Sequence, residues 1–160
     1  MSIIKLTSSE GSTFDVSAEA AKASNTIRRV LEDCGDSDMA IPLQNVTAHI
    51  LKKVIEFCEY HKDDPVVENE EEEPKEKRTD DLSEWDLKFV DAVEYSTLYD
   101  LVQAANYLDI KKLLDVTCKA VANLMKGKTS DELRRFFRIE NDFSPEEEEQ
   151  IKKENAWCED

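Results

Sequence analysis

The sequence is poor in the residues on which most recognisable chemistry is built. It has three glycines in 160 positions, too few for a dinucleotide-binding glycine turn, and no G-x-S-x-G is present to expose a serine nucleophile. The single Gly-Lys-Thr, Gly127 to Thr129, lacks the glycine that a phosphate-cradling loop carries five residues earlier. Ala122 stands there, and the residues before Gly127 read as a helix rather than a strand. Histidine is limited to His49 and His61. His61 follows Cys58 by three residues, a spacing at which one helix can present two metal ligands, but a structural zinc site takes four, and no second Cys/His pair exists. Cys34, Cys58, Cys118 and Cys158 are scattered without a C-x-x-C pair, which predicts free thiols in a reducing compartment. No apolar run approaches the ~20 residues of a membrane-spanning helix. The opening MSIIKLTSSEG has no basic leader with an apolar stretch behind it, so no secretory signal is expected.

Carboxylates, in contrast, are abundant, and their distribution matters more than their total. Residues 63–81 hold ten Asp/Glu against three Lys/Arg, and residues 140–160 hold nine against two. Together these stretches carry −14 of the net −16, leaving 18 acids against 16 bases elsewhere. The chain thus reads as a near-neutral globular body with two acidic segments. Both segments repel nucleic acid, whose binding depends on Lys and Arg at phosphates. The carboxylates fall in solvated runs rather than among apolar neighbours that would tune a pKa, so no catalytic set, cofactor or metal site is expected. The charge runs do support one class of function, an acidic chaperone for basic partners, whose association would weaken with salt.

The periodicities predict an α+β layout, strands first and helices after. In SIIKLTSSEGSTFDV, Ile4 and Leu6 alternate with Lys5, and Phe14 and Val16 with Asp15, around a Ser-Ser-Glu-Gly turn, the pattern of a hairpin. SNTIRRVLEDCG predicts a helix capped by Ser24 or Asn25, lined by Ile27, Val30, Leu31 and Cys34 and stopped by Gly35. MAIPLQN predicts a short extended piece, and Pro42, lacking an N–H, suits an edge. NVTAHILKKVIEFCEYHK predicts a stronger helix, with Val46, Ile50, Leu51, Val54, Ile55 and Cys58 at three- and four-residue spacing and His49 on the polar side. The acidic stretch at about 63–81 predicts a flexible loop. Helical patterning resumes in SEWDLKFVDA with Trp85 and Phe89, then in STLYDLVQAANYLD with Leu98, Leu101, Val102, Ala105 and Leu108. IKKLLDVTCKAVANLMKG follows, with a ridge of Leu113, Leu114, Thr117, Cys118, Val121, Leu124 and Met125.

The end of the chain carries the sharpest local signals. Thr129 precedes Glu132 by three residues and Ser144 precedes Glu147 by three, with Pro145 after Ser144. Both fit a capping box, and Pro145 suits a first helical position. The run of four glutamates is therefore a helix start rather than formless tail. From about Pro145 to Trp157 that helix offers Ile151, Ala156 and Trp157 as apolar groups, with Phe143 before it and Cys158 after. A lone helix of this length is marginal in water, yet a buried Trp removes on the order of 150–250 Å² from solvent. Trp157 therefore calls for a second surface, either another molecule or the chain's own helix at 110–126.

Residues 104–158, AANYLDIKKLLDVTCKAVANLMKGKTSDELRRFFRIENDFSPEEEEQIKKENAWC, resemble the C-terminal half of the S-phase kinase-associated protein 1 family, whose members link F-box proteins to the cullin scaffold of SCF ubiquitin ligases. The likeness extends upstream through IKLTSSEG, PLQNVTAHILKKVIEFCEYHKDDP and KEKRTDDLSEWD. It implies an α+β BTB/POZ fold, a small three-stranded sheet packed with helices, over residues 1–126. It implies a C-terminal helical extension, 127–160, that binds the F-box together with helices 97–126. By the same resemblance, Leu114, Cys118, Val121, Ile139, Phe143, Ile151, Asn155, Trp157 and Cys158 contact the F-box, and Asn106 and Tyr107 face the cullin. Pro145 matches a position that in some protist lineages is hydroxylated and glycosylated, although its place at a helix start already accounts for it. The resemblance further implies an adaptor without catalysis, placed in cytoplasm and nucleus, with weak self-association when no F-box is bound. Gln103, Glu94, Tyr95, Phe136 and Ala156 depart from the family's usual residues, and the segment near 90–97 has one residue more than the usual spacing.

Overall fold

The computed structural model describes residues 2–35, 39–65 and 82–158, so most of the acidic stretch expected to form a loop, 66–81, lies outside the described residues. A hairpin opens the chain. Strands β1 (Ile3–Thr7) and β2 (Thr13–Ser17) pair antiparallel with Ile4 opposite Val16 and Leu6 opposite Phe14. The turn between them closes with Ser8 and Ser12, and Gly11 takes a φ of +85°, a conformation that an L side chain rarely adopts. A two-residue strand, β3 (Ile41–Pro42), lies parallel to β1 and gives the sheet order β2-β1-β3. Pro42 thus sits on an edge strand, where its missing N–H costs no ladder bond.

Helices cover the sheet. Helix α1 (Ala18–Ala21) follows β2 directly, capped by Ser17, and α2 (Asn25–Cys34) begins three residues later with Ser24 as its cap. Helix α3 (Ala48–His61) packs on α1 and β2, and its Ile50, Leu51, Val54, Phe57 and Cys58 are buried. Glu59 ties the same helix to the hairpin by accepting the Ser17 N–H at 2.9 Å, and that bond, with help from Lys62, holds its carboxyl below the ordinary glutamate range. Helices α4 (Glu84–Asp91), α5 (Tyr95–Leu108) and α6 (Lys111–Met125) complete the body. Leu101, Leu108 and Leu113 join Leu51 and Phe57 as its most deeply buried large side chains.

The apolar rows expected from sequence line this core, with three corrections: Cys118 and Met125 of the α6 ridge are exposed, and so is Cys34. Cys34 continues the α2 row by spacing but is exposed, because it is the last helical residue before Gly35 turns the chain at φ +69°. The chain separates into two compact units, residues 1–124 and 125–160. The second contains α7 (Ser130–Phe137), α8 (Pro145–Glu154) and a single 3-10 turn, Ala156–Cys158.

Candidate partner-binding surfaces

Helix α6 has two apolar faces. Leu113, Val116, Thr117 and Ala120 point into the core, and Thr117 satisfies its buried hydroxyl by donating to Leu113 O at 2.8 Å. Leu114, Cys118 and Val121 follow at spacings of four and three, about a third of a turn round the helix. Cys118 is exposed and the other two are half-buried. Leu114 and Val121 pack against the edge of the core, and this stripe contains the three α6 residues that the resemblance implies for F-box contact.

The second unit is built from well-formed ends around very little interior. Both capping boxes are present: Thr129 accepts from Glu132 N–H while Glu132 accepts from Thr129 N–H, and Ser144 and Glu147 do the same. Three glutamates lie in the first turn of α8 and two lysines in its last, each at the favourable end of the helix dipole. Pro145 occupies the exposed first position. Arg134 joins the two helices, 2.9 Å from Asp131 and 4.0 Å from Glu148. Helix α8 ends earlier than expected. Asn155 caps Ile151 O with both its backbone N–H and its side-chain amide, and the chain passes into the 3-10 turn that carries Trp157.

Neither α7, α8 nor the 3-10 turn buries a single residue. Ile139, Phe143 and Ile151 are 59%, 46% and 40% exposed, and Trp157 is 79% exposed. Asn155 and Cys158 are exposed as well. Phe136 stands edge-on to Phe137 with Lys128 over its ring. Such a set of apolar side chains on capped helices is a surface awaiting cover.

Asn106 and Tyr107 occupy the last turn of α5, with their side chains exposed. The helix stops at Asp109, whose left-handed backbone (φ 51°, ψ 54°) returns its N–H to Ala105 and Asn106.

One polar centre was not visible in the sequence. His61, whose spacing from Cys58 alone does not make a metal site, sits between two aspartates, with Nδ1 2.5 Å from Asp64 and Nε2 2.7 Å from Asp86. Asp86 also accepts from Ser83 Oγ at 2.7 Å, and Asp64 accepts from Lys112. Lys112 and His61 together hold the Asp64 carboxyl below its ordinary range. Phe57 and Trp85 flank the imidazole, and Tyr60 stacks on Trp85 at 3.9 Å. This centre joins α3, α4 and α6 through partners as far apart as Asp64 and Lys112, 48 residues, so no local pattern announces it. No group of three or more metal-ligating side chains forms among the described residues.

Two family models match the chain: Skp1 family, tetramerisation domain, over residues 2–63, and Skp1 family, dimerisation domain, over residues 111–158. The chain is 55% identical to a Skp1-related protein of Caenorhabditis elegans, over 98% of its own length and 92% of that protein's. It is 52% identical to the SCF ubiquitin ligase complex protein SKP1a of Dictyostelium discoideum, covering all of this chain and 98% of that one. It is 50% identical to the E3 ubiquitin ligase complex SCF subunit sconC of Arthroderma otae, over 98% and 94% of the two chains.

Proposed function

This chain belongs to the Skp1 family, and from that premise we propose that it is the adaptor subunit of an SCF-type cullin-RING E3 ubiquitin ligase. Its body is the α+β BTB/POZ fold, a three-stranded sheet packed with helices. In this reading residues 1–126 form that body and residues 127–160 the extension, and the protein works in cytoplasm and nucleus. It performs no reaction. It holds an F-box substrate receptor at one surface and the cullin scaffold at another, so that the substrate experiences a high effective concentration of the ubiquitin donor.

The observation that carries the reading is the second unit: helices capped at both starts, bearing Ile139, Phe143, Ile151 and Trp157, with nothing buried. The F-box covers these side chains and the outer stripe of α6, Leu114, Cys118 and Val121. Asn106 and Tyr107 face the cullin. A second copy of the chain is a weaker cover when no F-box is present.

The test is the affinity of the full chain for a generic F-box segment, compared with Trp157→Ala and with a chain truncated after Asn141. An exposed indole that becomes a buried anchor contributes about 2 kcal/mol or more, roughly thirtyfold in Kd. Trp157→Ala is therefore expected to weaken binding by that factor with an unchanged melting temperature, and truncation is expected to abolish it. Full affinity in both would sink the assignment of this surface.

A further inference from the structure

The C-terminal end of α5 is finished by a different helix. A helix leaves its last carbonyls without internal partners. In α5 the Asp109 N–H reaches Asn106 O at 3.2 Å, and the Ile110 N–H reaches Ala105 O at 3.0 Å. The next three carbonyls are taken by three consecutive residues at the start of α2. Thr26 Oγ1 donates to Tyr107 O at 3.2 Å, Ser24 Oγ donates to Leu108 O, and the Asn25 N–H donates to Asp109 O at 3.2 Å. Every carbonyl from 105 to 109 thus has a donor. Ser24 does two things with one oxygen, because the hydroxyl that donates to α5 also accepts the Ile27 N–H as the α2 cap. It is 1% exposed. The positive end of the α2 dipole therefore meets the negative end of α5.

We infer that Ser24 and Thr26 are positioning residues for the scaffold contact. They act through the backbone of 107 and 108, which sets the direction in which the exposed Asn106 and Tyr107 side chains leave the helix. A last turn held from outside cannot fray, so less ordering remains to be done when the scaffold docks. Neither residue needs to touch the scaffold for this. The inference rests on the assignment of Asn106 and Tyr107 to the cullin contact made above.

The experiment measures scaffold affinity and F-box affinity side by side on the full chain, for Thr26→Val, Thr26→Ser, Ser24→Ala and Tyr107→Ala. Loss of one such hydrogen bond is expected to weaken scaffold binding about three- to tenfold in Thr26→Val and in Ser24→Ala, with F-box affinity unchanged. Thr26→Ser keeps the hydroxyl and is expected to bind as the unsubstituted chain does. Undiminished scaffold affinity in Thr26→Val and Ser24→Ala, beside a clear loss in Tyr107→Ala, overturns the positioning role and leaves the contact surface standing. Undiminished affinity in Tyr107→Ala overturns the surface and the inference with it. Ser24→Ala removes a buried cap, so Thr26→Val, altered at the protein surface, decides between positioning and general damage: equal loss of both partners there overturns the proposal.

Discussion

Cys58 lies in the core, where burial, and after it the neighbouring Glu59 carboxylate, push its thiol up to about 12. Cys34, Cys118 and Cys158 are exposed. An alkylating reagent at about pH 8 reacts through the thiolate, so it is expected to label these three quickly and Cys58 only on unfolding. Adding an F-box partner is expected to protect Cys118 and Cys158 while Cys34 continues to react, as read by mass spectrometry of the labelled peptides. Protection of Cys34 with continued labelling of the other two would move the interface to α2. The neighbourhood of Cys58 also shows how far single residues were legible. Its burial follows from the row Val54, Ile55, Cys58, which local spacing displays. Phe57 lies on the same face, three residues after Val54, so spacing reaches its burial too, and it is the largest fully hidden side chain among the described residues; what spacing does not show is that, beside His61 of its own helix, its ring packs on Trp85 and Phe89 of α4. The same holds for His61, whose second aspartate is 25 residues away. Packing across elements decides such contacts, and sequence spacing within one element does not carry them.

At the scale of elements, what could be read was what is local. The hairpin, the glycine stops of α2 and α6 and both capping boxes follow from a few adjacent residues each, and the structure has them. Helix α1, with only four residues, is too short to show a period, and Ser17 as its cap is recognisable only once β2 is placed. The end of α8 falls short of the expected helix because Asn155 stops it by bonding twice to Ile151 O, a device that looks like any polar residue in the sequence. Caps matter more here than in a helix with a buried face, since α7 and α8 have no core to hold them. Ser144→Ala and Thr129→Ala are each expected to cost about 1 kcal/mol of local helix stability. Circular dichroism of the double substitution should show a loss of helicity at an unchanged melting temperature of the body, together with weaker F-box binding, because the partner must then order the helices itself. Retention of both helicity and affinity would mean that the caps are dispensable.

For the whole molecule, the charge pattern and the apolar pattern make opposing claims about how partners are held. The two acidic stretches carry most of the net −16, and exposed charges are screened within about 10 Å at 0.1 M salt. A chaperone of basic proteins would lose its partners steeply as salt rises. Attachment of the proposed kind, through Trp157, Ile151 and the α6 stripe, would rest on burial of apolar surface, and F-box affinity is then expected to stay nearly constant between low and high salt, a comparison that calorimetry makes directly. A steep decline would favour the charge-driven alternative. The division of labour along the chain has one more effect. Among the described residues no fully buried core side chain lies beyond Ala120, although Val121 and Leu124 pack against the core, and the apolar groups from 139 onward are all exposed. From 139 onward, choice of receptor therefore acts on letters that the core does not use, whereas Leu114 and Val121 of α6, which pack against the core, answer to both demands. A library screened only for heat resistance would pass variants that have lost every client, and over generations the repertoire of receptors can drift without the scaffold noticing.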